Sequence, residues 1–296
     1  MFNKARLSFT LIIGWCAADS FEKLKGRRQI KEDGSMGGLI EIKQHDSIAE
    51  VDLNRPAAYN AFNYEMISQL ADHLTALASD NTVRAVVIAG NGKAFCAGGD
   101  LKWALEYSNR PAAAFHTLAG QFHLAILEIR RMPKPVVAAI NGAAAGGGFS
   151  LALACDLRVA ENSAVLRQAY TASGLCIDGG GSFTLPRLVG YARALEIAAF
   201  DEPIPASRAL EWGLVTKVVE DGQAREEACK MAGQIARGSL NSFAWSKKLI
   251  TDSFNTSFET QIENERAALE ACADHRDGLE GLSAFSQKRK PQFGLK

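Results

Sequence analysis

Residues 135–160 read PVVAAINGAAAGGGFSLALACDLRVA, and this stretch sets the architecture of the chain. An apolar run of strand length, residues 135–140, ends in Asn141-Gly142. The three glycines Gly146, Gly147 and Gly148 then open the apolar helical segment FSLALAC, and residues 157–160 return as a strand. Strand, glycine turn, helix and strand within 26 residues indicate an α/β unit with the helix packed back on a buried sheet. The first N–H groups of a helix have no partner within it, and the helix dipole is positive there. A glycine-rich turn at that point lets a ligand oxygen approach the backbone. The Lys-Ser/Thr of a phosphate-binding P-loop is absent, as is the spacing of a dinucleotide fingerprint.

Working outward, residues 84–90 (RAVVIAG) form a second buried strand. It is followed by Phe95-Cys96-Ala97-Gly98-Gly99-Asp100-Leu101, another glycine turn, with Asp100 as a cap for the next helix. Short alternating strands are predicted over residues 39–42 and 48–53. A helix is predicted over 63–78, because Met66, Ile67, Leu70, Leu74 and Leu77 fall on one face. A further helix covers 112–131 and stops before Pro133. Beyond residue 192 the pattern is almost entirely helical, with segments at 192–200, 206–212, 224–236, 241–251, 257–273 and 277–288. No internal repeat is legible.

Composition narrows the function. The 296 residues are 47% hydrophobic and 22% charged, with 33 basic and 33 acidic side chains, so no excess positive charge points to nucleic acid. Six cysteines occur without a C-x-x-C pair or a histidine cluster, so no metal site and a reducing cytoplasmic setting are expected. The apolar run at residues 7–16 is too short to span a bilayer and poorly matches a secretory signal. Residues 1–36 are expected to be a leader or extension outside the fold, with Met36 as the natural start. Residues 37–235 are expected to form the core and 236–296 a helical oligomerisation region.

Taken with LPRLVGYARALE (185–196) and ALEWGLVTKVV (209–219), the two glycine turns resemble the enoyl-CoA hydratase/isomerase (crotonase) superfamily from about residue 37 onward. The resemblance implies a spiral of ββα units, C-terminal helices that build a trimer or a dimer of trimers, and an acyl-CoA thioester as substrate. No prosthetic group, nucleic acid or membrane partner is implied. In that family the backbone N–H groups at the positions of Gly99 and Gly147 bind the thioester oxygen. The matching substrate and coenzyme A contacts are Arg55, Ala57, Tyr59, Ala97, Asp100, Leu101, Lys102 and Gly146. Acyl-pocket lining is expected from Trp103, Leu105 and Tyr107 and from the 115–127 helix.

A hydratase of the family uses two glutamates, at positions occupied here by Ser150 and Tyr170. Neither hydroxyl is a base at neutral pH. Asp178, in Gly174-Leu175-Cys176-Ile177-Asp178-Gly179-Gly180-Gly181, stands where dienoyl-CoA isomerases, epoxyphenylacetyl-CoA isomerases and 4-chlorobenzoyl-CoA dehalogenases carry a catalytic aspartate. Its apolar neighbours would raise its pKa by desolvation. The plainer reading makes it the cap of a helix starting near Ser182. The epoxyphenylacetyl-CoA isomerase type gives the closest run, so isomerisation of an unsaturated acyl-CoA by Asp178 is the leading expectation. Hydration, aryl-CoA dehalogenation or hydrolysis, and an inactive scaffold are the alternatives. His123 reads as a helix-face or core histidine, Asp156 as an ion pair with Arg158 or a cap, and the 288–290 basic run as a solvated helix end or a nucleotide contact.

Overall fold

The computed structural model describes residues 38–107 and 110–294, so the expectation for residues 1–36 falls outside the described residues. Strands β1 (Ile40–His45) and β2 (Ile48–Leu53) form an antiparallel hairpin, with Ile40 opposite Leu53. Strand β2 continues in parallel into β3 (Ala85–Gly90), β5 (Val136–Ile140), β7 (Leu157–Glu161) and β10 (Lys217–Val219), giving a six-stranded sheet.

The chain leaves this sheet three times to build a second one. Strands β4 (Ala94–Cys96), β6 (Ala143–Ala145) and β8 (Val165–Arg167) each follow a strand of the first sheet after a short turn. They pair in the order β4-β6-β8-β9, where β9 is Ile204–Pro205. The turns leave no room for side chains: a Cβ on Gly90 would lie 2.3 Å from the Ala94 carbonyl oxygen, and one on Gly142 2.2 Å from that of Lys93. Two strands and a helix thus recur, as the resemblance implied.

Helix α1 (Tyr64–Ser79) starts where Asn63 accepts a hydrogen bond from the Met66 N–H at 3.0 Å, and its predicted apolar face is buried. Helix α2 covers Leu101–Tyr107, α3 Pro111–Arg131, α4 Gly147–Ala154, α5 Gly181–Val189, α6 Tyr191–Phe200 and α7 Ala206–Glu211. The central strands are buried on both faces, which is why they read as continuous apolar runs. On β3, Val86 and Ile88 point to the main core. Ala85, Val87 and Ala89 meet Ala224, Ala228, Ala232 and Ala236, one alanine stripe of helix α8 (Ala224–Ala236).

The last helices, α9 (Leu240–Asp252), α10 (Phe258–Asp274) and α11 (Arg276–Ser286), bury little of their own surface: α9 buries no residue and α10 only Ala268. Their attachment is partly ionic. Lys247 donates to Asp156 at 2.8 Å and to the Ile129 carbonyl at 2.8 Å, and the Val136 N–H donates to the same carboxylate oxygen. This corrects the expected Asp156–Arg158 pair. Arg158 instead donates to the carbonyls of Leu214 and Cys155, each at 2.6 Å. No described helix is long and apolar enough to cross a membrane.

Lys247 and Asp156 are largely enclosed, with 8% and 17% of their side chains exposed. Removing one partner strands a charge in a poorly solvated site, so Lys247→Ala is expected to cost about 3–5 kcal/mol of unfolding free energy in a urea titration. Adding Asp156→Asn to that variant should recover part of the loss.

Candidate active site

The two glycine turns are pressed together. Strand β4 pairs in parallel with β6, Ala94 opposite Ala143 and Cys96 opposite Ala144. Past the strand ends the backbones stay in contact. A Cβ on Gly98, whose φ is +94°, would lie 2.8 Å from the Gly147 nitrogen, and one on Gly148 would lie 2.1 Å from the Cys96 carbonyl oxygen. Phe62 fixes the third side: its ring would be 2.4 Å from a Cβ on Gly147 and stacks at 4.8 Å on Phe122.

This packing orients two N–H groups. The Phe62 N–H donates to the Gly98 carbonyl (2.8 Å) and the Asp100 N–H to the Phe62 carbonyl (3.0 Å). In such a bridge successive N–H groups point to opposite sides, so that of Gly99 faces away from Phe62. Gly147 is the first residue of α4, where the N–H has no helical acceptor. Both glycines line one cavity of about 510 Å³. The buried Cys96 beneath them is not a nucleophile: burial pushes its thiol up to about 12, and it donates to the Asn60 carbonyl.

Of the residues expected from the sequence, Ala97, Gly99, Leu101, Gly146, Gly147, Tyr170 and Asp178 line this cavity. Arg55, Ala57, Tyr59, Asp100, Lys102 and Ser150 do not. Arg55 donates to Asp100 at 2.6 Å and to the Ala61 carbonyl at 2.8 Å, so these two side chains tie the loops on either side of Phe62. Asp100 also accepts from the N–H groups of Lys102 and Trp103, the helix cap read from the sequence. Trp103, Leu105 and Tyr107 were expected in the acyl pocket and do not line it. Trp103 stacks on Tyr107 at 4.7 Å, and Leu105 is exposed. The apolar wall comes from Phe115, Leu118 and Phe122 of α3, within the 115–127 helix expected there, and from Phe62 and Leu175.

Asp178 is the one carboxylate among the described residues lining the cavity. It does not cap α5, whose N-cap is Gly180. Nor do Cys176 and Ile177 enclose it, since 36% of its side chain is exposed. Its loop is held by Ser150, fully buried on α4, which donates to the Asp178 carbonyl at 2.6 Å. Tyr170 lies 3.4 Å from the Ser150 hydroxyl, and burial raises its phenol above the usual range, so it stays protonated.

The contact that sequence reading missed is His123. It lies on α3 as expected, but its Nε2 is 2.6 Å from Asp178 Oδ1. Fifty-five residues separate the pair, and no periodicity links them. Among the described residues no three His, Cys, Asp or Glu side chains are placed to hold a metal ion.

A family model described as enoyl-CoA hydratase/isomerase matches residues 43–296. The chain belongs to the enoyl-CoA hydratase/isomerase family. It is 36% identical over 242 residues to a 1,2-epoxyphenylacetyl-CoA isomerase of Escherichia coli (strain K12), a match covering 81% of this chain and 92% of that relative. It is 34% identical over 255 residues to a crotonyl-CoA hydratase of Syntrophomonas wolfei subsp. wolfei, with 86% and 97% covered. A solved enoyl-CoA hydratase from Polaromonas sp. JS666 superposes with a TM-score of 0.82 at 38% identity, covering 86% of this chain and 98% of that one. The crotonase fold is thereby established, and with it an acyl-CoA enzyme of the enoyl-CoA hydratase/isomerase family.

Ser150 supports the Asp178 loop through a buried hydrogen bond. Ser150→Ala removes that donor but leaves the Gly181 N–H on the same carbonyl, and is expected to cost about 0.5–1.5 kcal/mol in a denaturation titration.

Proposed function

We propose that this protein isomerises an unsaturated acyl-CoA, moving its double bond through an enolate, with Asp178 as the single acid/base. The observation that carries the proposal is the carboxylate inventory of the cavity. Asp178 is alone there among the described residues, and the two positions where a hydratase of the family has glutamates hold Ser150 and Tyr170.

In this reading the thioester oxygen lies against the N–H groups of Gly99 and Gly147. Asp178 removes a proton from the α or γ carbon; the C–H electron pair moves into the conjugated system and the charge collects on the thioester oxygen. The same carboxyl returns a proton at the other end of the allyl unit. The two donors are fixed before the charge develops, so they favour the enolate over the ground state. One such donor is typically worth about 2.7–4 kcal/mol. Substrate and coenzyme A contacts are assigned to Ala97, Leu101 and Gly146 at the cavity. Arg55, Ala57, Tyr59, Asp100 and Lys102 are assigned to the adjoining surface where the nucleotide lies. Ser150 and Tyr170 support Asp178.

Residues 37–235 are assigned as the acyl-CoA-binding core and 236–296 as the oligomerisation region of a trimer or dimer of trimers. Exposed Ile250, Phe258, Leu269 and Phe285 on the last three helices support this, since apolar surface of that kind is interface material. Sedimentation at micromolar concentration should give a trimer or a multiple of it; a stable monomer would overturn the assignment.

Asp178→Asn keeps the size of the side chain and removes the base. Turnover of a 3-enoyl-CoA is expected to fall by about 10²–10⁴-fold while acyl-CoA binding persists. The product of the unaltered protein should keep the mass of its substrate. A gain of one water would instead mark a hydratase, and release of free coenzyme A a hydrolase. Near-full activity in Asp178→Asn, or loss of turnover in Ser150→Ala while Asp178→Asn stays active, would remove Asp178 from the mechanism.

A further inference from the structure

Asp178 has two environments. Its side chain contributes to the wall of the acyl cavity, while Oδ1 contacts His123 Nε2 at 2.6 Å. His123 does not line the cavity, and half of its side chain, 50%, is exposed. An acyl group filling the cavity displaces water from the Asp178 side that faces it. It leaves the histidine side open, so the carboxyl keeps one contact with a titratable group that reaches solvent while the substrate is held. Imidazole is suited to that position, because one ring nitrogen can accept a proton while the other carries one.

We propose that His123 is the proton port of the site: it exchanges the proton carried by Asp178 with solvent while substrate is bound. The proposal rests on Asp178 serving as the acid/base. Asp178 takes a proton from the substrate carbon, the C–H bond breaks and its electron pair forms the enolate. The neutral carboxyl passes that proton to Nε2 of neutral His123, becoming carboxylate again as the histidine becomes imidazolium. The exposed imidazolium exchanges its N–H protons with water when the contact opens. The reverse transfer then gives Asp178 a solvent proton, which is returned to carbon. No proton is gained or lost over the cycle, and no oxidant, reductant or further reactant is needed. His123 acts through Asp178 and is a positioning and exchange residue rather than a group that touches substrate.

The consequence is isotopic. An enzyme with a closed carboxyl carries the substrate's own proton from one carbon to the other. An enzyme with a port delivers solvent protons. It also exchanges the α-hydrogens of a saturated acyl-CoA, which forms an enolate but has no double bond to move.

The test follows two reactions in D₂O, using the full-length protein: deuterium wash-in at the α carbon of butyryl-CoA, and conversion of 3-hexenoyl-CoA. In the unaltered protein wash-in should be readily measured, and the isomerised product should carry solvent deuterium. In His123→Gln, which keeps a hydrogen-bonding side chain but cannot exchange a proton in this way, wash-in relative to conversion should fall by about 10²-fold. In His123→Ala, free imidazole should restore wash-in, which a merely structural role for His123 would not predict.

Equal wash-in-to-conversion ratios in the unaltered protein and His123→Gln would overturn the port, as would failure of imidazole to restore His123→Ala. Absence of wash-in in the unaltered protein would also overturn it. Wash-in without conversion of 3-hexenoyl-CoA would instead defeat the isomerase reading. The port would then stand if wash-in is lost in His123→Ala and returns with imidazole.

Discussion

The site depends on a steric constraint: two backbone turns must approach more closely than any side chain allows. Gly98 lies against the Gly147 nitrogen, Gly148 against the Cys96 carbonyl, and Gly147 against the ring of Phe62. Each contact sits where a Cβ would fall within 3 Å of another heavy atom. Glycine carries an entropic cost on folding. That cost is offset by the apolar residues the same elements bury, including Phe95, Phe122, Phe149 and Ile140. The result is a pair of main-chain N–H groups whose positions are set by core packing rather than by rotamers. Pre-organisation of that kind is what makes hydrogen-bond donors effective toward a developing charge.

Much of this was legible in the sequence, because the signals are local. The helix predicted over 63–78 is Tyr64–Ser79, and the structure adds its cap, Asn63. Ser239 and Ser257 accept from Ser242 and Thr260 in the same way and fix the starts of α9 and α10. The strand expected to end near residue 42 runs on to His45, as far as its partner β2 extends. The second sheet was not legible. Its strands β4, β6 and β8 are three residues each, too short to display a period of two, and their identity comes from pairing with one another. The ββα repeat was hidden for the same reason: half of each strand pair carries no periodic signature.

Within the site, the glycines and Asp178 could be placed by resemblance, whereas the supporting contacts could not. Asp178 accepts on its carbonyl from Ser150, twenty-eight residues away, and its carboxylate contacts His123, fifty-five away. Asp156 meets Lys247 across ninety-one. Such pairs are products of tertiary packing and leave no trace in local spacing. The 115–127 helix lines the cavity as expected, whereas the absence of Trp103, Leu105 and Tyr107 from that lining has the same origin. Helix α2 is short and turns its aromatics on each other, while α3 runs across the mouth of both glycine turns and touches Phe62.

The position of His123 follows from the glycines after the aspartate. Gly179 has φ +61°, and a Cβ there would lie 2.2 Å from Cε1 of Phe122 and 3.0 Å from the Ser150 Cβ. The loop is therefore seated directly on α3 and α4. With Gly179 against Phe122, the preceding residue on the loop meets the following residue on the helix, and Asp178 reaches His123. Phe122 in turn stacks on Phe62, the residue that orients Gly99 and blocks a side chain at Gly147. One aromatic pair thus sets the two N–H donors on one side and the carboxylate–imidazole contact on the other. A change in the Phe62–Phe122 stack would move Asp178 and the N–H groups of Gly99 and Gly147 together, because the same close packing holds both.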